Sequence, residues 1–336
     1  MTSTVIANNN ISIMSKYPWN LKHYPIELRF LLVRKLIFES LCAKKQTDTR
    51  LRLFKKYNVK YRGWIYSFFR ENQKDLADGI YENWSNGIYE ENAPVFTLWY
   101  QGLANCPDIV RLCIESMRKH IKGHPLIVIT QDNISDFITF PRYIQEKLEK
   151  GIITLTHFSD ILRFSLLEKY GGLWLDATVF LSNDIGGGIF ESPLFTVRAE
   201  TDKFKTLRYL GSGFWCGFIF GGYKGNTLFK MMNSLFLDYW AHNNVMVDYF
   251  LIDLYLSFLY KNYPNVSMMI DILPDKKEKI FLLSSHLSER ADGKLLQSLE
   301  SDIPVFSKLS YKLNFPLPDD SIYYWLMKNG IRHDGL

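Results

Sequence analysis

HFSDILRFSLLEKYGGLWLDATVF, residues 157–180, decides how this chain folds. From Phe158 to Tyr170 the apolar residues Phe158, Ile161, Leu162, Phe164, Leu166 and Leu167 are too dense for a surface helix. They fit a helix buried on most of its circumference. Gly171 and Gly172 stop it, and Gly171 suits the left-handed position that follows a helix C-cap. Leu173 to Leu175 then reads as a short apolar strand with Asp176 at its carboxyl end, the edge at which open α/β sheets bind ligands. Three polar residues stand inside this apolar setting: Asp160, Arg163 and Asp176. Asp160 and Arg163 are three apart, so they share one helical face and can offer a carboxylate and a guanidinium to one ligand. Paired buried charges are also commonly structural, with a strand-end Asp capping a turn. Both readings stand at the level of single residues.

Upstream, Val95 to Trp99 reads as a strand, Pro107 to Ile121 as a helix and Pro125 to Ile129 as a strand ending in the polar turn Thr130–Asn133. A helix near Tyr143 to Lys150 and a strand at Ile152 to Thr154 lead into the central stretch. The series β-α-β-α-β predicts right-handed crossovers and a mostly parallel sheet. The strand ends at Trp99 and Gln131-Asp132 then open on the same edge as Asp176. Downstream, Gly186-Gly187-Gly188 lacks the spacing of a nucleotide-binding fingerprint and reads as a flexible connector. Strands are expected at Leu194–Arg198 and Phe214–Phe220. Asn226 caps a helix running to Trp240, and Asp248 stands at the start of another, Val247 to Tyr260. Near the end, Lys308 and Lys312 can bring ammonium groups to a diphosphate. Residues 1–90 read as a basic, helical N-terminal region with helices at Pro25–Lys45, Asp48–Tyr57, Ile65–Phe69 and Leu76–Trp84, and residues 91–336 as an α/β domain.

Composition bounds the class. With 336 residues, 47% hydrophobic and 15% aromatic, the chain has ample material for a large core. No apolar run approaches the roughly 18 residues that span a bilayer, and the first residues lack the apolar region of a secretory signal. Cys42, Cys106, Cys113 and Cys216 have no metal-type spacing and read as reduced thiols of a cytoplasmic protein. Between Lys16 and Arg62 thirteen basic residues face three acidic ones, a local +10 in a chain whose net charge is +5. That stretch is either a solvated helical layer or a patch for an anionic membrane leaflet. No recognised nucleic-acid module accompanies it.

The order Ser-Asp-Ile-Leu-Arg (159–163), Tyr-Gly-Gly (170–172), Trp-Leu-Asp (174–176) resembles the capsular-polysaccharide-synthesis glycosyltransferases, relatives of sugar transferases that include the glucosyltransferase domain of the large clostridial toxins. The resemblance is best over Pro94–Phe180 and continues more weakly to Lys312. It implies a GT-A type, Rossmann-like mixed sheet flanked by helices. It implies transfer of a sugar from a UDP-sugar to a lipid-linked or saccharide acceptor in cell-surface polysaccharide synthesis, with retention of configuration. An aromatic at the first strand end, here Trp99, would stack on uracil. Asp132, Trp174, Lys308 and Lys312 complete the candidate donor site, and Asp248 would meet the transferred sugar. Such transfer needs the developing diphosphate charge stabilised while the sugar hydroxyls are held. Arg163 suits the first task because its fork stays charged, and Asp160 and Asp176 suit the second as hydroxyl acceptors.

One departure matters. Metal-dependent relatives carry Asp-x-Asp, whose second carboxylate ligates Mn²⁺ or Mg²⁺, whereas this chain reads Asp176-Ala177-Thr178. A hydroxyl is a weaker ligand than a carboxylate for a hard cation. Either a divalent metal is still held by Asp176, the diphosphate and a ligand from the C-terminal part, with Thr178 as the weaker ligand at the second position, which is the version expected, or basic residues do its work. Outside the enzyme class, the alternative is a sugar-nucleotide-binding or scaffold protein that has lost turnover with the second Asp.

Overall fold

The computed structural model describes residues 59, 62–200, 214–313 and 316–329. The expected helices at Pro25–Lys45 and Asp48–Tyr57, and most of the basic stretch, lie outside the described residues. Residues 62–72 are helical, followed by α1 (Lys74–Tyr81), β1 (Val95–Leu98), α2 (Asp108–His120), β2 (Leu126–Ile129), the single turn α3 (Ile134–Phe137) and α4 (Arg142–Glu149). The central stretch forms α5 (Leu155–Tyr170), β3 (Gly172–Leu175) and β4 (Val179–Leu181). After it come β5 (Leu194–Thr196), β6 (Arg198–Ala199), β7 (Ile219–Gly222), α6 (Thr227–His242), α7 (Leu251–Asn262) and α8 (Pro264–Asp271). The last part comprises β8 (Lys277–Glu278), α9 (Leu282–His286), α10 (Gly293–Asp302), β9 (Phe306–Lys308) and α11 (Ile322–Asn329).

The main sheet has the order β2-β1-β3-β7-β5. β1 is parallel to both β2 and β3, in keeping with the helical crossovers α2 and α5. The other half departs from the mostly parallel expectation, because β7 is antiparallel to both β3 and β5. Parallel neighbours need a crossover of a dozen or more residues, usually a helix. After Leu175 the chain instead turns tightly at Asp176–Thr178 into β4, and among the described residues before β7 the only helical piece is the 3-10 turn Gly187–Ile189. The sheet is therefore mixed and flanked by helices.

Tyr-Gly-Gly has a steric explanation. Gly172 has φ +86°, and a Cβ there would stand 2.0 Å from the Pro94 carbonyl oxygen, so only glycine lets β3 enter beside β1. Gly171 is not the left-handed cap expected. Its φ of +66° comes with ψ −152°, a region open essentially to glycine alone, and it turns the chain straight from α5 into β3.

Four other expectations shift. Ile152–Thr154 is not a strand: the Ile152 and Ile153 amides both donate to Lys147 O, and the Thr154 hydroxyl accepts from His157 N at 3.3 Å, capping α5. The Gly186–Gly188 connector is pinned by buried Ile185 and Phe190 on either side. Phe214–Phe218 precedes rather than forms β7, because Ile219 N closes a turn onto Cys216 O at 2.9 Å. Asp248 stands ahead of α7 and accepts from Phe250 N at 2.8 Å, a local side-chain turn that delays the helix to Leu251.

α5 is the central element. Apart from Ser159, every residue from His157 to Leu167 is buried, so most of its circumference is core. Phe164 stacks on Phe236 of α6 with ring centroids 6.1 Å apart. Each such fully buried apolar side chain contributes about 1.5–3 kcal/mol. Segment 62–81 joins the same cluster. Phe69 stacks on Tyr255 at 4.5 Å, and Gln73 Nε2 donates to Leu235 O at 3.0 Å and Asp238 Oδ2 at 2.8 Å. Among the described residues no helix is long and apolar enough to cross a membrane.

Candidate active site

Asp160 and Arg163, one turn apart on α5, point from the buried helix toward the carboxyl end of β3. Arg163 Nη1 donates to Asp160 Oδ1 at 2.9 Å, and its Nη2 donates to Asp176 Oδ1 at 3.0 Å. The guanidinium lies over the Trp174 ring, 5.0 Å from the centroid, and the indole Nε1 also donates to Asp176 Oδ1 at 2.9 Å. On the other side Lys308 Nζ donates to Asp176 Oδ2 and to Thr178 Oγ1, each at 2.8 Å. The local folding that brings Lys308 here is specific. β9 pairs antiparallel with β4 so that Lys308 faces Val179, and Leu309 N donates to Thr178 O at 2.8 Å. Asp176 N in turn donates to Phe218 O at 3.0 Å, tying the strand end to the turn before β7.

Asp160, Arg163, Asp176 and Lys308 line a cleft of about 440 Å³. It includes a carboxylate that the sequence reading missed. Asp253, in the first turn of α7, is buried and accepts from Trp215 Nε1 at 2.8 Å. The signal was there: Leu251-Ile252-Asp253-Leu254-Tyr255-Leu256 places one acid inside an apolar run, just as Ser159-Asp160-Ile161-Leu162 does. Tyr249, 51% exposed, stands at the rim.

Burial dominates the titration of the three acids, with different outcomes. Asp160 is pushed up to about 7 by desolvation, with Asp176 and Asp253 adding repulsion against the pull of Arg163. Asp253 is pushed up to about 6 by burial and by Asp248, while Trp215, Arg163 and Arg62 oppose the rise. At Asp176 burial is outweighed by Lys308 and then Arg163, which hold it below the usual carboxylate range.

Of the residues singled out in the sequence, Asp160, Arg163, Trp174, Asp176, Thr178 and Lys308 converge. Arg163 is only 3% exposed with both Nη atoms engaged, so its geometry fits holding two carboxylates rather than gripping a diphosphate directly. Trp174 is buried and supports Asp176 from below. Asp248 lies beside the cleft in the turn before α7, and Asp132 is exposed in the turn after β2. Trp99, half-buried, meets Tyr311 edge-on at 5.4 Å, and exposed Lys312 places its Nζ 5.6 Å from the same Tyr311 ring. These form a second small group at the same sheet edge.

The residues present fit a divalent cation poorly. Both oxygens of Asp176 and the Thr178 hydroxyl already accept from Arg163, Trp174 and Lys308. A further cation there would face two positive charges. Among the described residues no group of three or more His, Cys, Asp or Glu side chains is placed to hold a metal ion.

The family model described as "Capsular polysaccharide synthesis protein" matches residues 41–326. No curated protein matches the chain. Among solved structures, one titled "PaToxG Glycosyltransferase" is similar at 12% identity over 67% of this chain and 84% of that one, with a TM-score of 0.36, a likeness too slight to carry an argument.

Proposed function

We propose an activity for this chain, which belongs to the capsular polysaccharide synthesis protein family: it is a glycosyltransferase that moves a sugar from a UDP-sugar to a lipid-linked or saccharide acceptor. The observation that carries the reading is the strand-end carboxylate Asp176, clamped between Arg163 and Lys308 in a cleft that also presents Asp160 and Asp253. Diphosphate chemistry needs a cation at the leaving oxygen, and sugar binding needs carboxylates that accept hydroxyl protons. Lys308 supplies the first and the three acids supply the second. Arg163 fixes two of those acids in register, a positioning task that its rigid fork suits. Tyr311 follows Lys308 by three residues and meets Trp99 edge-on at 5.4 Å, which supports a uracil seat next to the diphosphate. Retention of configuration rests on the family resemblance. Association with an anionic leaflet rests on the basic stretch Lys16–Arg62 and suits a lipid-linked acceptor.

The test is donor hydrolysis by the purified protein, since transferases generally leak their donor to water. Slow release of UDP from one or more UDP-sugars, with GDP- and dTDP-sugars poorer, is expected. No hydrolysis of any sugar nucleotide, together with unchanged nucleotide binding, would instead favour a binding protein without turnover.

A further inference from the structure

We infer that the ammonium group of Lys308 takes the place of the divalent cation at this site, binding the donor's diphosphate directly and making transfer independent of metal. The inference rests on the nucleotide-sugar reading above and deepens it. A metal bridging a strand-end Asp and a diphosphate needs free oxygen ligands. Here the oxygen of Asp176 not taken by Arg163, and the hydroxyl standing in place of a second carboxylate, both accept from Lys308 Nζ at 2.8 Å. Thr178 is buried at 9% exposure, so its hydroxyl is spoken for rather than waiting in water.

An ammonium carries three N–H donors and no acceptor. Two are used on Asp176 and Thr178, which fix its position, and one is left for a phosphate oxygen. The side chain remains 20% exposed and lines the cleft, whereas Arg163 is 3% exposed with both Nη atoms turned to Asp160 and Asp176. Phe218 covers one side of Nζ, its ring centroid 4.7 Å away, which thins the water around the charge and strengthens its pull on an anion. The Asp176-Ala177-Thr178 sequence and the lysine thus belong together. A second carboxylate at 178 would hold the lysine in a tighter pair, and a neutral hydroxyl leaves more of its charge for the ligand.

In the transfer step the bond between the sugar's C1 and the β-phosphate oxygen breaks, and its electron pair stays on that oxygen. Lys308 faces the charge as it forms. The acceptor hydroxyl oxygen makes the new bond to C1 from the same face, and its proton passes to the departing phosphate oxygen. Nothing else is consumed.

The experiment measures UDP binding by calorimetry, and donor hydrolysis alongside it, in EDTA and in Mn²⁺, for the full chain, Lys308→Met and Lys308→Arg. The wild type is expected to bind UDP within about twofold in the two media, because no ligand set awaits the ion. Lys308→Met, near the size of lysine but neutral, should lose about tenfold or more in UDP affinity, and Lys308→Arg should keep part of it. Melting curves without ligand show whether the variants fold, and the arginine variant keeps the test alive if the methionine variant does not. UDP binding that appears only with Mn²⁺, or a Lys308→Met protein that binds UDP like the wild type, overturns the lysine's role and leaves the glycosyltransferase reading standing. A folded wild type that binds no UDP in either medium overturns the donor reading and this inference with it.

Discussion

The Asp160–Arg163–Asp176–Lys308 cluster and the Trp99–Tyr311–Lys312 group sit at the same sheet edge but are built on opposite principles. In the first, charged side chains project from a buried helix and strand, and each is fixed by a partner at 2.8–3.0 Å. In the second, a half-buried ring meets an exposed one edge-on, and the neighbouring ammonium lies in solvent. Desolvation makes the first geometry expensive to disturb, since a buried charge that loses its partner is left uncompensated. The second can be rearranged cheaply around a ligand. Chemistry that must hold an atom in place belongs in the first, and recognition of a flat base needs no more than the second.

The largest expected effect breaks the first region. Arg163→Ala leaves Asp160 and Asp176 facing each other without the charge between them, and should cost about 3–5 kcal/mol of stability. It should also cut donor turnover about a thousandfold. Arg163→Lys keeps the charge but cannot reach both carboxylates, so the fold should recover more than the turnover does. Trp99→Ala is the contrasting variant. Its turnover at saturating donor should stay near normal while the apparent KM for donor rises about tenfold, from loss of a stacking contact worth about 1–3 kcal/mol. Steady-state kinetics on the two variants separate the regions. Equal losses of kcat in both would mean that the division is wrong.

The acids of the first region give a pH signature. Asp160 and Asp253 hold protons in the folded state, up to about 7 and about 6, that the unfolded chain releases near 4. The native state therefore binds more protons across that window, and these two groups make stability fall as pH rises through it. Asp176 acts oppositely: held low, it contributes stability above the usual carboxylate range that is lost only in stronger acid. Turnover should rise over pH 6–7 as Asp160 and Asp253 ionise and can accept sugar hydroxyls. Melting temperature against pH should flatten in Asp160→Asn; an unchanged slope would show that Asp160 does not carry it.

The same contrast explains what could be read in the sequence. Asp160, Arg163 and Asp176 were legible because each interrupts an apolar run, where only a partner or a ligand makes a charge tolerable. Trp174 was legible as a neighbour in the same motif, though its task is to brace Asp176. Asp253 carries the same signal inside Leu251–Leu256, but the position that marks a capping acid at a helix start falls on Asp248, five residues earlier. Lys308 could be named but not placed. Its approach to Thr178 depends on β9 pairing with β4, a contact between residues far apart in sequence with no local mark. The antiparallel half of the sheet was hidden for a similar reason: the short strands after Leu175, such as β4 and β7, are buried at every position and carry nothing that specifies direction.

The smallest effect concerns a part of the chain that both regions depend on only for location. The stretch Lys16–Arg62, with its local +10, is expected to bind vesicles rich in anionic lipid and to release them as salt rises. Replacing Lys44, Lys45, Lys55 and Lys56 together should abolish sedimentation with such vesicles and spare hydrolysis of soluble donor. Equal binding to neutral vesicles would show that the charges do not direct it.

The central claim is that Asp176 and the side chains gathered on it do the chemistry, and Asp176→Asn tests it most directly. The amide keeps the size of the acid and its one oxygen can still accept from Trp174 and Arg163, with its NH2 turned toward Lys308, so the variant should fold and should still bind UDP. Its donor hydrolysis, measured at saturating donor, should fall about a hundredfold or more. A folded Asp176→Asn protein that hydrolyses donor within twofold of the wild type would place the chemistry elsewhere in the molecule.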